Sequence, residues 1–247
     1  MTETLALAEG NSDEMSASTQ RKYLVIGCRS WNRKLFDEVV SKHEGEWHFI
    51  GSREELIPAT VRSIDPRFVF ILHWSWKVPD EIVDGFECVC FHMTDVPYGR
   101  GGSPLQNLIV RGHKDTMVTA LRMTHEFDAG PVYLKEPLAL EGRAEDIYIR
   151  AGETAARMIA RIVQAEIVPV PQTGDVVMFK RRQPEDSDIA RIQSLPELYD
   201  QIRMLDAEDY PHAFLELGAF RFEFARAAQH PDRIVAEVNI TRVKEKC

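Results

Sequence analysis

The sequence predicts an α/β protein with an open, mostly parallel, twisted sheet of the Rossmann-like kind, followed by a small α+β appendage. Three observations predict this fold class. Short apolar runs alternate with helical segments through the first half of the 247-residue chain, which is the pattern of βαβ units. The rhythm changes after a Gly- and Pro-rich stretch at 92–104. The last third holds one amphipathic helix and two β-like runs.

The first half supplies four apolar strands and the helices between them. The first strand ends in a glycine turn at Gly27, and Ser52 with Glu55 has the spacing of a capping box at the start of a helix. The predicted strands are 22–27, 47–50, 67–72 and 87–91, and the predicted helices are 31–42, 52–64 and 80–85. Helices between successive strands indicate that these strands run parallel.

The second half is less regular. Ser103 and Pro104 have the residue types of an N-cap and a first helical position, so a helix is expected directly after the loop. Further predicted helices are 105–111, 144–165 and 195–204, and further strands are 116–123, 131–137, 174–181, 220–224 and 234–240. We expect a disordered polar leader at 1–20, a main domain at 21–182 and a C-terminal extension at 183–247.

Composition excludes several classes of function. Acidic residues outnumber basic ones 39 to 30, for a formal charge of −9, which argues against a nucleic-acid partner. No apolar stretch approaches the roughly 18 residues of a membrane span, and the first residues do not resemble a signal peptide. Cys88 and Cys90 lie in an apolar run and do not make a disulfide framework. We expect a cytoplasmic protein with no membrane partner and no metal.

The stretch from His92 to Pro104 concentrates unusual residues directly after an apolar strand. Ligands of doubly wound sheets bind at the carboxyl ends of strands. Arg100 offers a fork of donors to an anion, and Gly101 and Gly102 let the backbone approach a ligand. These three residues are therefore predicted to bind substrate. The alternative is a tight structural loop around a hydrogen-bonded histidine.

A second motif contains Asp128, the lone carboxylate before a Gly130-Pro131 break and 36 residues after His92. A carboxylate at this place could reach across a sheet edge to hold a histidine. A turn residue is the alternative interpretation.

Together the two motifs resemble the formyltransferase family. His-x-Thr-x-Val-Pro-x-x-Arg-Gly-x-x-Pro, from His92 to Pro104, is similar to the family's loop. Thr119, followed nine residues later by Asp128-x-Gly-Pro, is similar to its second motif. The resemblance covers about 22–180, and further segments at 181–187 and 202–211 look like the C-terminal part of sugar N-formyltransferases. Among these enzymes, the loop is most similar to those of nonulosonic (pseudaminic-type) acid and surface-glycan pathways.

The resemblance implies the formyltransferase fold, 10-formyltetrahydrofolate as co-substrate and an amino-sugar acceptor, nucleotide-linked or a nonulosonic-acid precursor. His92 would be the acid/base at the centre, and Asp128 would orient it. The uncharged amine would attack the formyl carbon, an oxyanion would form, and the folate nitrogen would leave. No nucleic acid is expected as a partner, and a homodimer is left open.

One departure from the family matters. The family carries an Asn two positions before the His, and this chain has Cys90 there. A thiol is a poor hydrogen-bond donor. Three explanations stay open: Asn107 supplies the amide, a protonated His92 with the backbone N–H of Gly101 or Gly102 suffices, or the protein has lost activity.

In relatives, two loops flank the pterin ring of the folate. Trp74 and Trp76 suit a flat heterocycle by stacking, although they could equally fill the core. The predicted folate-binding residues are Trp74, Ser75, Trp76, Val78, Pro79, Thr124, His125, Glu126, Phe127 and Asp128.

Two alternative functions remain. A methionyl-tRNA-type formyltransferase shares both motifs, but the acidic balance and the short tail favour the sugar acceptor. A catalytically weakened relic that binds folate or sugar would explain Cys90. An enzyme is favoured because His92, Asp128 and the whole Gly loop are present.

Overall fold

The computed structural model describes residues 20–243, so almost all of the leader predicted at 1–20 lies outside the described residues. The main domain is built on a sheet with the strand order β2-β1-β3-β4-β6-β7. Its strands are β1 (Lys22–Ile26), β2 (Glu46–Ile50), β3 (Phe68–Ile71), β4 (Cys88–His92), β6 (Asp115–Arg122) and β7 (Val132–Ala139). A separate pair consists of β5 (Tyr98–Gly101) and β8 (Val177–Phe179). Strands β1 to β4 pair in parallel, and β6 runs antiparallel to both of its neighbours. The predicted mostly parallel α/β sheet is confirmed.

Helices cover both faces of this sheet, because successive residues of a strand point to opposite sides. The helices are α1 (Ser30–Glu38), α2 (Pro58–Ile64), α3 (Asp80–Gly85), α4 (Pro104–Val110), α5 (Ala144–Ala165) and α6 (Leu195–Arg203). Leu24 of β1 packs into one apolar cluster with Val61 of α2 and Ile82 of α3. Val25 belongs to the other cluster, which contains α1 and α5 side chains such as Ile147.

Two predicted helix starts are corrected. The helix expected from Ser52 begins only at Pro58, and Glu55 instead accepts a hydrogen bond from the backbone N–H of Gly51 at 3.3 Å. Ser103 precedes α4 as predicted, but its backbone is left-handed and its side chain makes no cap hydrogen bond. Its hydroxyl accepts from the N–H of Arg182 at 3.0 Å, which ties the loop to a later segment.

The C-terminal part adds a three-stranded antiparallel sheet, β9 (Ala213–Leu217), β10 (Phe220–Gln229) and β11 (Ile234–Arg242), in the order β11-β10-β9. The sequence prediction missed β9. Hydrogen bonds fasten this part to the main domain: Arg203 donates to Leu140 O at 2.7 Å, and Gln106 donates to Met204 O at 3.0 Å. The domain boundary at 182/183 stays a prediction.

Residues 20–243 contain neither a helix suited to a membrane nor a cluster suited to a metal. Within residues 20–243, no helix combines the length and the apolar character that a membrane crossing requires. Over the same range, no group of three or more His, Cys, Asp or Glu side chains is arranged to hold a metal ion.

Candidate active site

His92 and Asp128 meet at the end of β4. His92 is the last residue of β4 and pairs with Thr119 of β6. Its Nε2 lies 2.8 Å from the carbonyl oxygen of Gly99, and its Nδ1 lies 3.5 Å from Asp128 Oδ1. A carbonyl oxygen can only accept, so Nε2 carries a hydrogen and Nδ1 is the ring nitrogen that faces the carboxylate.

The Asp128 carboxylate is fixed by the glycine loop. Its Oδ2 accepts a hydrogen bond from the backbone N–H of Gly101 at 2.8 Å. Gly101 has a φ of +104°, and an added Cβ would lie 2.5 Å from the carbonyl oxygen of Phe179. Only glycine fits this position without strain. One oxygen of Asp128 is therefore tied to the loop, and the other is left facing His92.

The predicted substrate-binding residues are used to build this loop. The N–H of Gly101 goes to Asp128, and the N–H of Gly102 donates to Phe179 O at 3.2 Å. The guanidinium of Arg100 is largely buried and donates to Gln172 Oε1 from Nε at 3.1 Å and Nη2 at 2.9 Å. These contacts use the backbone N–H groups of Gly101 and Gly102 and part of the Arg100 guanidinium, and the prediction that these three residues bind substrate stays a prediction.

The side-chain amide of Asn107 binds backbone carbonyl groups. Its Nδ2 lies within hydrogen-bond distance of three carbonyl oxygens, those of Gly102 at 3.1 Å, Ser103 at 3.0 Å and Lys180 at 2.9 Å. These acceptors take up both amide hydrogens, and the side chain does not line the cavity beside His92. The prediction that Asn107 replaces the family's amide is corrected.

A cavity of about 230 Å³ lies beside the His–Asp pair. Seven of the predicted folate-binding residues line it, namely Trp74, Trp76, Val78, Thr124, His125, Phe127 and Asp128. Three do not: Ser75 lies 3.8 Å from the thiol of Cys28, Pro79 precedes α3, and Glu126 faces Arg100. Pockets that enclose a drug-sized ligand measure roughly 300–1,000 Å³, so this one suits a single ring system.

The cavity walls are aromatic. Trp74 and Trp76 meet edge to face with ring centroids 5.0 Å apart. Trp76 is 42% exposed and Phe127 is 74% exposed. The indole Nε1 of Trp74 is buried, and no atom of the described residues accepts its hydrogen. A flat heterocycle in the cavity would cover the exposed rings.

Cys90 lines the same cavity. It lies two residues before His92 on β4, and so on the same side of the strand. Burial raises the pKa of the Cys90 thiol, and the charge of Asp128 raises it further. The thiol therefore stays protonated and is not a nucleophile. Among the described residues that line the cavity there is no Asn or Gln.

Basic residues lie next to the glycine loop, and the sequence analysis assigned them no role. We call Arg111, Lys180, Arg181 and Arg182 the basic edge. A Cβ on Gly102 would lie 2.6 Å from Arg181 Cβ, and the Arg111 guanidinium sits 4.4 Å from the centre of the Phe179 ring. Within residues 20–243, no carboxylate forms an ion pair with Lys180 or Arg181. The sequence signal for this cluster is the run of three consecutive basic residues, Lys180, Arg181 and Arg182.

Comparisons with known proteins place the chain in a family. Residues 184–241 match a family model described as the methionyl-tRNA formyltransferase C-terminal domain. The structure of methionyl-tRNA formyltransferase from Clostridium thermocellum is 40% identical with a TM-score of 0.86, and the match covers 90% of this chain and 100% of that chain. The chain therefore belongs to the formyltransferase family.

Two further relatives extend the comparison. The methionyl-tRNA formyltransferase of Wolinella succinogenes is 27% identical over 61% of this chain and 51% of its own length. The chain thus spans about half the length of the curated relatives it matches. A structure of HypX from Aquifex aeolicus in complex with tetrahydrofolic acid is 17% identical with a TM-score of 0.71, covering 85% of this chain and 38% of that chain. Structures described as a likely sugar N-formyltransferase from Mycobacterium tuberculosis and a sugar N-formyltransferase from Shewanella match at 16% identity, which shows the fold alone.

These matches overturn the predicted amino-sugar acceptor and the prediction that no nucleic acid is a partner. The surface-glycan and pseudaminic acid assignments are wrong with them. Total charge and tail length both pointed away from a tRNA acceptor. The charge of −9 is a sum over the whole chain, whereas phosphate binding depends on the local charge at the contact region. The extension that seemed too short for a tRNA enzyme contains the very residues, 184–241, that match the C-terminal domain model.

Proposed function

We propose that this protein transfers a formyl group from 10-formyltetrahydrofolate to the α-amine of a methionyl-tRNA. The observation that carries the proposal is the 3.5 Å approach of His92 Nδ1 to Asp128 Oδ1 on the wall of the aromatic cavity. The acceptor is inferred from the relatives, which are methionyl-tRNA formyltransferases. We place the reaction in the cytoplasm, where free thiols such as Cys28, Cys88 and Cys90 stay reduced.

The cavity supports a folate as the donor. Trp74 and Trp76 would stack on the pterin ring. A cavity of about 230 Å³ would suit this ring system, with the rest of the folate outside. The bound folate supplies the formyl group, which is carried on its N10 nitrogen.

His92 would manage the proton of the attacking amine. Nε2 keeps its hydrogen, which it donates to Gly99 O, so Nδ1 is the nitrogen that takes the amine proton and then returns it to the N10 nitrogen as the bond from the formyl carbon to N10 breaks. The imidazolium formed in this way faces the Asp128 carboxylate, which the Gly101 N–H holds in place. Proton transfer by a positioned group of this kind contributes about 10²–10⁴ in rate.

The protein offers few hydrogen-bond donors to stabilise the negative charge that develops on the formyl oxygen. Cys90 offers an S–H in place of the family's amide, and Asn107, Gly101 and Gly102 use their donors elsewhere. Loss of one such donor costs about 10²–10³ in rate. We therefore expect slow turnover that depends strongly on positioning.

The basic edge would bind the phosphates of the acceptor. Arg181 touches Gly102, and the neighbouring Gly101 holds Asp128, so these cations lie next to the reacting groups. Binding of phosphates by lysine and arginine releases counterions and weakens with added salt. Such a local basic surface is compatible with an acidic protein because only the contact region needs to be positive.

The test is formylation of methionyl-tRNA by the protein with 10-formyltetrahydrofolate, read as formylmethionine after deacylation. Controls are uncharged tRNA, free methionine and a nucleotide-linked amino sugar. We expect product only with methionyl-tRNA, and its loss in His92→Ala with a normal unfolding transition. Formylation of the sugar alone, or folate binding without transfer to any acceptor, would refute the proposal.

A further inference from the structure

One carboxamide joins the glycine loop to the Asp128 loop. Gln172 lies between α5 and β8, two residues after Val170, whose N–H and C=O both pair with Val132. Its Oε1 accepts from Arg100 Nε at 3.1 Å and Nη2 at 2.9 Å. Its Nε2 donates to the carbonyl oxygens of Asp128 and Gly130, both at 2.8 Å. Both donors and both acceptor sites of the carboxamide are therefore in use.

The loop that Gln172 holds has a costly backbone conformation. Asp128 has a φ of +52°, in the left-handed region that non-glycine residues seldom adopt. A Cβ on Gly130 would overlap the carbonyl oxygen of Arg122, so the chain passes very close to β6 here. Such conformations persist only where the surroundings fix them. Gln172 does so by binding the carbonyls on both sides of Ala129.

The contacts form a closed ring around the carboxylate. Gln172 binds the guanidinium of Arg100, and the next residue, Gly101, donates its N–H to Asp128 Oδ2. The main chain of Asp128 leads back to Gln172 through its carbonyl oxygen. Gln172 therefore helps to position both the backbone of Asp128, directly, and its side chain, through Arg100 and Gly101.

We propose that Gln172 is a positioning residue that holds the Asp128 carboxylate against His92. The inference rests on the proposed function, because it assigns Gln172 a part in that reaction. Gln172 does not line the cavity, so it acts through Asp128 and not on the folate.

Gln172→Glu separates the contact of Gln172 with Arg100 from its contacts with the carbonyl oxygens of Asp128 and Gly130. A glutamate still accepts from Arg100, and with a full charge. It loses the amide hydrogens, so an oxygen would face the carbonyls of Asp128 and Gly130 and be repelled. If Gln172 contributed only by binding Arg100, Gln172→Glu would keep its activity. If Gln172 orients Asp128, Gln172→Glu would lose activity.

The experiment measures kcat and KM for formyl transfer. We expect Gln172→Glu to lower kcat about 10- to 100-fold, since a displacement of about 1 Å at a reacting group can cost that much, with little change in KM for the folate. In an Asp128→Asn background the same substitution should lower kcat less than about threefold, because groups that act as a unit are not additive. Gln201→Ala is the matched control: it removes a carboxamide that donates to Asp186 O at 2.6 Å in the extension, and it should leave kcat unchanged.

Equal losses of kcat in both backgrounds, or a kcat of Gln172→Glu close to wild type, would overturn the proposal. If Gln172→Glu does not unfold cooperatively, Gln172→Asn replaces it: the shorter side chain cannot span Arg100 and the two carbonyls, so kcat should again fall in the wild-type background and much less in Asp128→Asn. A second readout does not need the acceptor: the imidazole ¹⁵N signals of His92, assigned by their loss in His92→Ala. They should move in the same direction in Gln172→Glu as in Asp128→Asn, and unchanged signals would contradict the role of Gln172. A wild-type protein that does not formylate methionyl-tRNA would refute the proposed function, and the ¹⁵N signals would still decide on Gln172.

Discussion

Asp128→Asn separates charge from shape at the site. Asparagine has nearly the shape of aspartate, and its oxygen can keep the 2.8 Å hydrogen bond from the Gly101 N–H. That choice turns the amide NH₂ group toward His92 Nδ1, where Oδ1 lies at 3.5 Å in the wild type. Asparagine also tolerates the left-handed backbone at this position, where φ is +52°. The substitution therefore removes the negative charge with little other change.

The magnitude follows from the distance. Two unit charges 3.5 Å apart interact by about 5 kcal/mol at an effective dielectric constant of about 20. Each 1.36 kcal/mol corresponds to about tenfold in rate. The Asp128 side chain is 18% exposed and that of His92 is 10% exposed, so solvent screens part of this energy. We expect kcat to fall about 10²- to 10³-fold, and stability to fall about 1 kcal/mol from the loss of a charge-assisted hydrogen bond.

The assay is single-turnover formyl transfer at saturating folate and methionyl-tRNA, so that the rate reports the chemical step and not product release. Unfolding by urea gives the stability of each variant. Asp65→Asn is the matched control, because Asp65 also has a left-handed backbone, with φ of +53°, but caps α2 away from the cavity. A rate for Asp128→Asn within about threefold of wild type would refute the idea that the carboxylate stabilises a protonated His92.

Three further predictions address other parts of the molecule. Cys90→Asn should raise kcat about tenfold or more by supplying an amide donor to the developing charge, and a severe loss would place the oxyanion elsewhere. Lys180→Ala combined with Arg181→Ala should raise KM for methionyl-tRNA and keep kcat, and the slope of log KM against log salt should become shallower by about one to two units. Lys42→Ala, which removes an exposed lysine outside the basic edge, is the control, and an unchanged slope would contradict phosphate binding by the basic edge. Burial, with the nearby Arg29 charge, lowers the pKa of His73 from 6.5 to about 4, so only the unfolded chain protonates this residue as pH falls through that window, and about 3 kcal/mol of stability is lost. Urea unfolding at pH 7 and 4.5 should show a smaller loss for His73→Gln than for wild type, and equal losses would contradict this cause.

Much of the main domain was predictable because its periodic patterns are long or bounded by clear signals. The helices at Asp80–Gly85 and Ala144–Ala165 have the predicted bounds. The errors occurred where two signals competed. Pro58 marks the true start of α2, although Ser52 and Glu55 have capping-box spacing. The strand Ala213–Leu217 is short, and the turn at Gly218, with a φ of +59°, was the signal that a hairpin follows.

The site was predictable only in part. His92 and Asp128 come together because β4, which ends at His92, and β6 are neighbours in the sheet. The loop that follows β6 brings Asp128 to the end of β4. The partners of Asn107 and Arg100 were not predictable. Their amide and guanidinium groups are held by Lys180 and Gln172, more than 70 residues later in the chain. Such long-range contacts have no local sequence pattern, so free donors were assigned to groups that the fold already uses.

The acceptor could not be inferred from the reacting groups, because a histidine and a carboxylate serve any uncharged amine equally well. A methionyl-tRNA differs from an amino sugar mainly in its size and its many phosphates. Residues that discriminate between them must therefore lie outside the cavity, and the basic edge beside Gly102 meets that requirement. Under the proposed function the tRNA would approach at the basic edge, because a chain with a net charge of −9 favours a polyanion only where basic residues cluster locally. The acidic composition then becomes an argument for oriented binding rather than against a nucleic-acid partner.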